Sequence, residues 1–192
     1  MLGALNNIVV TYPHIFKQGC MAHALDLMLE DWAKVQEFKD LIERSRKLCQ
    51  YIRNHHSTMS IFRELSPNLQ LIVPSQTRFA CNFLMLHRLV KLKSVLEQLK
   101  DHPRVLNYFD TLRNRQNGEQ AATASRNVVR TIEDVGFWQR CGNYVHMTED
   151  VLKALRVFDG REPAMDRAWL VMHNLRDHVY SLKEPPFSLR DV

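Results

Sequence analysis

A helical repeat of apolar residues dominates residues 21–52 of the chain. Large apolar side chains recur every three or four positions there, and charged residues fill most of the positions between them. This spacing puts the apolar side chains on one face of an α-helix, so it predicts one long amphipathic helix or two helices in tandem. The repeating residues are Leu25, Met28, Leu29, Trp32, Val35, Phe38, Leu41, Ile42, Leu48 and Ile52.

The same periodicity predicts helices in most of the remaining chain. A second strong apolar stripe covers residues 79–100, with Thr77 as its expected N-cap, and it stops before Pro103 because the residue preceding a proline avoids helical backbone. A short helix at residues 60–65 is expected to be capped by Ser57 or Thr58. Weaker patterns predict helices at residues 124–132, 138–157 and 163–182.

Three segments depart from the helical pattern. Residues 15–18 and 69–73 are short and contain branched or aromatic side chains, so they are the candidates for strands or extended backbone. Residues 114–125 are polar, contain few large apolar side chains and include Gly118, which predicts a flexible loop between two helical halves. The sequence therefore predicts a mainly helical protein with little β-structure.

Composition limits the function classes. With 192 residues, 45% of them hydrophobic, the chain can bury a core and form one domain or two small ones. No apolar run approaches the roughly 18 residues that a membrane span needs, and no basic leader or cleavage site indicates secretion, so we expect an intracellular protein without a membrane partner. Its four cysteines form no CxxC pair, which favours reduced thiols. Phosphate-binding glycine loops and the HExxH and GxSxG motifs are absent from the sequence, which excludes the commonest enzyme classes.

Cys20 and His23 form the first candidate site, a thiol and an imidazole three residues apart at the start of a helix. Three interpretations are open: a metal site, a Cys/His nucleophile, or a structural junction before the helix. The junction is favoured because no second Cys/His pair follows at zinc-site spacing and one helical turn rarely supplies both a base and its orienting group. We therefore expect no metal and no cofactor.

Acidic residues and histidines elsewhere receive structural interpretations. Asp26 and Glu30 lie four residues apart, with Asp31 next to them, and could in principle hold a divalent ion. A solvated acidic helix face is the commoner arrangement. His55 and His56 lie at the end of a predicted helix, where capping is the expected use.

Basic residues provide the candidate nucleic-acid site. The net charge of +5 would suit a polyanionic partner, because Lys and Arg gain affinity by releasing counterions from phosphates. Arg78 and Phe79 stand together at the start of a predicted helix, where a guanidinium could hold a phosphate while the ring stacks on a base. Arg88 and Lys91 follow on that helix, with further cations at Lys93, Lys100 and Arg104. A surface Arg beside a buried Phe is the simpler interpretation of the first pair.

Four blocks of sequence resemble plant hAT-type transposase-like proteins, which combine a BED-type zinc finger with a ribonuclease H-like core. The blocks are YPHIFKQGCMAHALDLMLEDWAK, LIVPSQTRFACNFLMLHRLVKLKSVLEQL, FWQRCGNYVHMTEDVLKALRVFDG and EPAMDRAWLVMHNLRDHV. The resemblance implies a helical insertion domain, residues 36–192, attached to a remnant of a ribonuclease H-like α/β core in residues 1–35. It also implies a nuclear location.

The resemblance also implies roles for individual residues. Cys20 and His23 look like the CxxH of the family, which follows the second of two catalytic Asp residues. Together with a Glu, those residues hold two divalent metals for strand cleavage and transfer. Because that Asp is expected just upstream of Met1 and the Glu near or beyond Val192, the resemblance implies a chain without catalytic activity. Arg78 and Phe79 resemble an Arg-Trp dipeptide that packs against a base flipped from the DNA end, and the smaller Phe ring would stack more weakly.

Two functional hypotheses follow from the sequence. The first is a catalytically inactive, transposase-derived protein or fragment with residual DNA binding through Arg78, Phe79, Arg88 and Lys91, which could also assemble with other transposase-like chains. The second is a helical protein-interaction module without a nucleic-acid role, which would use an uncovered apolar surface.

Overall fold

Nine α-helices make up the regular structure of the described residues, which in this computed structural model are 2–14, 19–74, 80–114, 118–160 and 164–181. Those residues form no β-strand. The prediction of a mainly helical chain is confirmed, and the α/β remnant stays a prediction. The helices are α1 (Leu2–Thr11), α2 (Met21–Lys34), α3 (Gln36–Asn54), α4 (His56–Leu65), α5 (Ala80–Asp101), α6 (Pro103–Arg113), α7 (Glu119–Glu133), α8 (Val135–Phe158) and α9 (Met165–Ser181).

A break at Val35 divides the long amphipathic stretch into α2 and α3, so the tandem alternative is the correct one. Val35 has extended backbone, with φ −61° and ψ 131°, and its carbonyl accepts the Phe38 N–H at 3.1 Å as α3 begins. In one continuous helix, Trp32 and Phe38 would lie about 120° apart around the axis. The break allows both side chains to be buried.

Helix α5 runs through the centre of the core, where α3 and α8 pack against it. Its residues Phe83, Met85, Leu86, Leu89, Leu92 and Leu96 are all fully buried. The Phe83 ring stacks on Tyr144 of α8 with 5.1 Å between ring centroids, and Phe38 of α3 meets the same tyrosine edge-on at 4.1 Å. These three rings join α3, α5 and α8 into one apolar core.

Pro103 both ends one helix and begins another. As predicted, α5 ends just before it, at Asp101, but the sequence interpretation missed α6, which starts at Pro103. Proline suits the first turn of a helix because the N–H it lacks would have had no partner there. The side chain of His102 completes the start of α6 by accepting the Arg104 N–H at 3.2 Å. Helix α1 was not predicted either.

The predicted loop at residues 114–125 is wrong from Glu119 onward, because α7 begins there. Small side chains such as Ala122 and Ser125 are buried, so they pack the helix closely against its neighbours although they offer little apolar bulk. Alanine is also the best helix former. Residues 115–117 lie outside the described residues.

Of the two alternatives for residues 69–73, a strand or extended backbone, the strand is wrong, because this segment has no regular secondary structure. Side chains bind its backbone in place of a partner strand: the Ser66 hydroxyl donates to the Leu69 carbonyl, and Arg88 Nη1 donates to the Gln70 carbonyl, each at 2.8 Å. The cap predicted for the short helix before this segment, Ser57 or Thr58, is also wrong, since α4 begins at His56. Thr58 lies within that helix and donates its hydroxyl to the His55 carbonyl. Thr77 and residues 15–18 fall outside the described residues.

Candidate nucleic-acid interface

Arg88 and Lys91 both lie on α5, but only Arg88 makes a hydrogen bond to another described residue. Arg88 is half-buried, and its guanidinium is occupied by the Gln70 carbonyl at 2.8 Å. Lys91 is exposed and forms no ion pair with a described residue. The structure therefore gives Arg88 a structural contact and leaves Lys91 as the available cation of the predicted pair.

His87 of α5 lies close to Lys91 and to two cations of α8. Its imidazole is half-buried, and Nε2 has no hydrogen-bond partner among the described residues. Burial lowers the pKa of His87. The charges of Lys91, Arg156 and Lys153 lower that pKa further, against the opposing effect of Glu149. We call the surface formed by His87, Lys91, Lys153 and Arg156 the basic face.

Helix α8 adds two cations to the basic face, Lys153 and Arg156. They differ in whether nearby carboxylates balance their charge. Lys153 lies 3.1 Å from Glu149 and 2.9 Å from Asp150, so nearby carboxylates largely balance its charge. Arg156 is exposed and pairs with no carboxylate among the described residues. Sequence reasoning missed Arg156 because it is distant from Lys91 along the chain, and only the packing of α5 against α8 brings the two together.

The other cations that the sequence associated with this region each have a carboxylate nearby. Lys100 lies 2.7 Å from Asp101, and Arg104 lies 3.0 Å from Glu64. Lys93 Nζ is 3.9 Å from Glu97 and sits over the Trp138 ring at 5.8 Å from its centroid. Lys91 and Arg156 thus stand out as cations without a balancing carboxylate in the described part of this surface. Arg78 and Phe79 lie outside the described residues.

Cys20 and His23 are both exposed at the start of α2, with Cys20 as its N-cap residue. The cysteine side chain makes no capping hydrogen bond. In the described ranges, no three His, Cys, Asp or Glu residues are grouped closely enough to hold a metal ion. Cys49 and Cys141 are buried, and burial raises the pKa of each thiol to about 12, which keeps them protonated.

Glu30 and Asp31 of α2 and His55 at the end of α3 make contacts within the local structure. Glu30 and Asp31 both pair with Lys34, at 3.1 and 2.9 Å, on an accessible helix surface. His55 Nδ1 lies 2.6 Å from the Tyr51 carbonyl in the last turn of α3, so the expected capping use of this histidine is confirmed.

A second basic region lies in a groove between α3 and α7, which we call the interhelical groove. Its volume is about 700 Å³, and its cationic residues are Arg44, Lys47 and Arg130. Sequence reasoning did not find it, because its residues come from two helices whose neighbourhood no local pattern predicts. The composition of residues 114–125 even placed part of α7 in a loop.

Helix α9 presents large apolar side chains to solvent. Trp169 is 73% exposed and Tyr180 76%, with Met165 and Leu170 also exposed. The Trp169 ring stacks on His173 of the same helix at 4.9 Å between centroids. Exposed apolar residues in such a group are typical of a protein contact surface.

None of the described helices is both long and apolar enough to cross a membrane.

Comparison with known families gives one match. Residues 19–130 match the model of the ZBED1 RNase-like helical domain. This range includes most of the first block that resembled hAT-type transposase-like proteins and all of the second. Searches of curated proteins and of solved structures gave no significant match. The match supports the hAT-type, transposase-like assignment.

Proposed function

Because the chain belongs to the family of the ZBED1 RNase-like helical domain, we propose that it is a transposase-derived helical domain that contacts DNA through its basic face. The observation that carries the proposal is that Lys91 of α5 and Arg156 of α8 both lie near His87. Both are exposed, neither pairs with a described carboxylate, and both act on the pKa of His87. Such cations bind phosphates and release counterions, which favours a polyanion.

Arg78 and Phe79 extend the proposal to base contact. They directly precede Ala80, the first residue of α5, which is the helix that also carries Lys91. Phosphate contacts at Lys91 and Arg156 would set the position of the strand, and the Arg-Phe pair would contact an unstacked base. The resemblance to hAT-type proteins supports this assignment of roles.

A charge-reversal experiment tests the DNA contact. We expect the Lys91→Glu, Arg156→Glu double variant to bind a fluorescein-labelled 20-base-pair duplex at least about tenfold more weakly than wild type at low salt, because two phosphate contacts become repulsive. Fluorescence anisotropy measures the affinity. The dependence of log affinity on log salt should become shallower by about two.

The matched control changes net charge equally at other sites. Lys39 of α3 and Arg126 of α7 are exposed and outside the basic face, so Lys39→Glu, Arg126→Glu should weaken binding far less. If both double variants lost the same DNA affinity, the effect would come from net charge alone and not from the basic face. Arg78→Glu tests the base contact separately: unchanged affinity for a duplex with a single-stranded end would exclude it.

We further propose that this chain does not cleave DNA by itself. Its role would be to bind DNA, and to assemble with other transposase-like chains, in the nucleus. The pairing of Glu30 and Asp31 with Lys34 supports a structural role for the acidic residues of α2. Magnesium-dependent nicking of supercoiled plasmid, lost in Asp26→Ala, would refute the proposal. The interpretation of residues 1–35 as derived from a ribonuclease H-like core rests on the resemblance.

A second candidate function is protein interaction through α9. The favouring observation is the exposed apolar group that includes Trp169, Leu170 and Tyr180. Apolar area removed from water at a contact contributes roughly 25 cal/mol per Å², and tryptophan and tyrosine are common interface anchors. The two candidate functions use different helices and can be tested separately.

Sedimentation velocity over a range of protein concentrations tests the second candidate for self-association. Wild type should sediment faster as concentration rises, and the Trp169→Ala, Leu170→Ser double variant should remain a monomer because it lacks two exposed apolar side chains. The Lys91→Glu, Arg156→Glu variant should behave like wild type. A wild-type chain that stays monomeric throughout would exclude self-association through α9.

A further inference from the structure

The interhelical groove has the size and shape of a small-ligand site. Its volume of about 700 Å³ lies within the range of ordinary ligand pockets, roughly 300–1,000 Å³. Its α3 side runs from Arg44 to His55, which corresponds to about 16 Å along the helix axis. Leu48 and Val128, both buried core residues, form an apolar floor.

Positive charge dominates the described lining of the groove, which contains no Asp or Glu. Arg44 is held in place, because it donates to Asp134 at 2.9 Å and lies over the Phe137 ring at 5.2 Å from the centroid. Arg130 is exposed and pairs with no described carboxylate. Lys47 pairs with Glu43 at 2.7 Å, but both side chains are exposed, so this pair opposes ligand binding only weakly.

Neutral polar groups lie between these cations and the aromatic end of the groove. Gln50, Asn54 and Asn127 supply amides that can both donate and accept hydrogen bonds. At one end His55 stacks on Tyr51 at 4.0 Å between centroids. An apolar floor, amides and an aromatic end suit a planar, hydrogen-bonding ring, and the cations suit phosphate.

We infer that the interhelical groove binds a nucleoside phosphate, either free or as the terminal nucleotide of a strand. Phosphate contacts Arg130 and Lys47, with Arg44 as a fixed second guanidinium, and the base lies over Leu48 and Val128 against the amides. The inference does not rest on the proposed function. The groove and the basic face share no residue.

Fluorescence anisotropy of the ATP analogue mant-ATP, with unlabelled competitors, tests the inference on the full chain. We expect ATP to displace the probe better than either adenosine or tripolyphosphate, because only ATP offers both the ring and the charge. Arg130→Glu should weaken mant-ATP binding at least about tenfold, as expected for loss of a charge-assisted contact. Asn127→Trp fills the groove from an exposed helical position without changing charge, and should also abolish binding.

Arg126→Glu is the matched control, because Arg126 is exposed on the same helix but does not line the groove. It should retain binding, as should Lys91→Glu on the basic face. Circular dichroism verifies that each variant keeps its helix content. If Lys91→Glu lost mant-ATP binding while Arg130→Glu bound mant-ATP like wild type, the groove assignment would be overturned. The proposed DNA contact would not be affected by that result.

Competition also identifies the source of the ligand. Stronger displacement by ATP assigns a free nucleotide, whereas stronger displacement by a 5′-phosphorylated dinucleotide assigns a strand end, and either supports the site. Displacement by hexaglutamate or tripolyphosphate as strong as that by ATP would overturn it in favour of a general anion or acidic-peptide surface. Absence of mant-ATP binding by the wild-type chain would also overturn it.

Discussion

Helices α5 and α9 differ in how they pack against the rest of the protein. Eight of the 22 residues of α5 are buried, and several neighbouring helices pack around it. In α9 only Leu175 is buried among 17 residues, and the helix rests mainly on α8. Apolar residues occur in both helices, so composition does not distinguish them; the number of neighbouring helices does.

The attachment of α9 depends on a few specific contacts. His178 lies between two acceptors of α8, with Nδ1 3.1 Å from the Asp150 carboxylate and Nε2 3.3 Å from the Met147 carbonyl. Val171, Met172 and Val179 pack only partly against the core. From this comparison we expect α5 to contribute most to the stability of the whole chain and α9 to open locally.

The largest effect is expected from Phe83→Ala. Phe83 is fully buried and stacks on Tyr144, so its removal leaves a cavity at the junction of α3, α5 and α8. We expect a loss of about 3–5 kcal/mol in the free energy of unfolding, measured by urea titration with circular dichroism. Trp169→Ala on α9 serves as the control and should change this quantity by less than about 0.5 kcal/mol, because Trp169 is 73% exposed. Similar losses in the two variants would remove the distinction between the helices.

A smaller, local effect is expected from Leu175→Ala. Leu175 is the buried residue of α9, and truncation of a buried leucine costs about 2–5 kcal/mol when the site cannot collapse. Because α9 rests mainly on α8, we expect the site to collapse partly and the loss to be at the lower end, about 2 kcal/mol. Hydrogen exchange should accelerate in the amides of α9 and remain slow in α5. Equal acceleration in both helices would show that α9 belongs to the same cooperative unit as the core.

The helices themselves could be predicted from the sequence, because burial of one face produces a regular apolar spacing. That spacing located α5 within one residue at each end but could not show that α6 begins at Pro103, where proline was interpreted only as a stop. It also failed at Ala122 and Ser125, since small buried residues look polar or neutral in composition.

The candidate site could be predicted only in part. Lys91 could be found from the sequence because it lies in the helix predicted for residues 79–100, which follows Arg78 in the sequence. Arg156 and Arg130 were not, because each reaches its surface through the packing of distant helices, α8 against α5 and α7 against α3. Helical periodicity reports which face of a helix is buried but not which other helix covers it.

The smallest effect is expected from protonation of His87, at the boundary between α5 and α8. Burial lowers the pKa of this imidazole below the ordinary value of 6.5, and nearby cations lower it further. The unfolded chain therefore binds the proton more readily than the folded chain. The contribution of neutral His87 to stability is full above pH 6.5 and is lost as pH falls from there through the folded pKa.

Urea titrations at pH 7.5 and 5.5 should show a loss of less than about 1 kcal/mol from this group, because the half-exposed imidazole is partly screened by solvent. In His87→Leu this part of the loss should disappear. Titration of the His87 ring protons by NMR gives the sign directly: Lys91→Gln should raise the His87 pKa, and Glu149→Gln should lower it, since the two charges act in opposite directions. Shifts of equal sign in both variants would contradict the arrangement of charges on the basic face. A pH-dependent change in α9 exchange rates that required His87 would also show that the core and α9 are coupled.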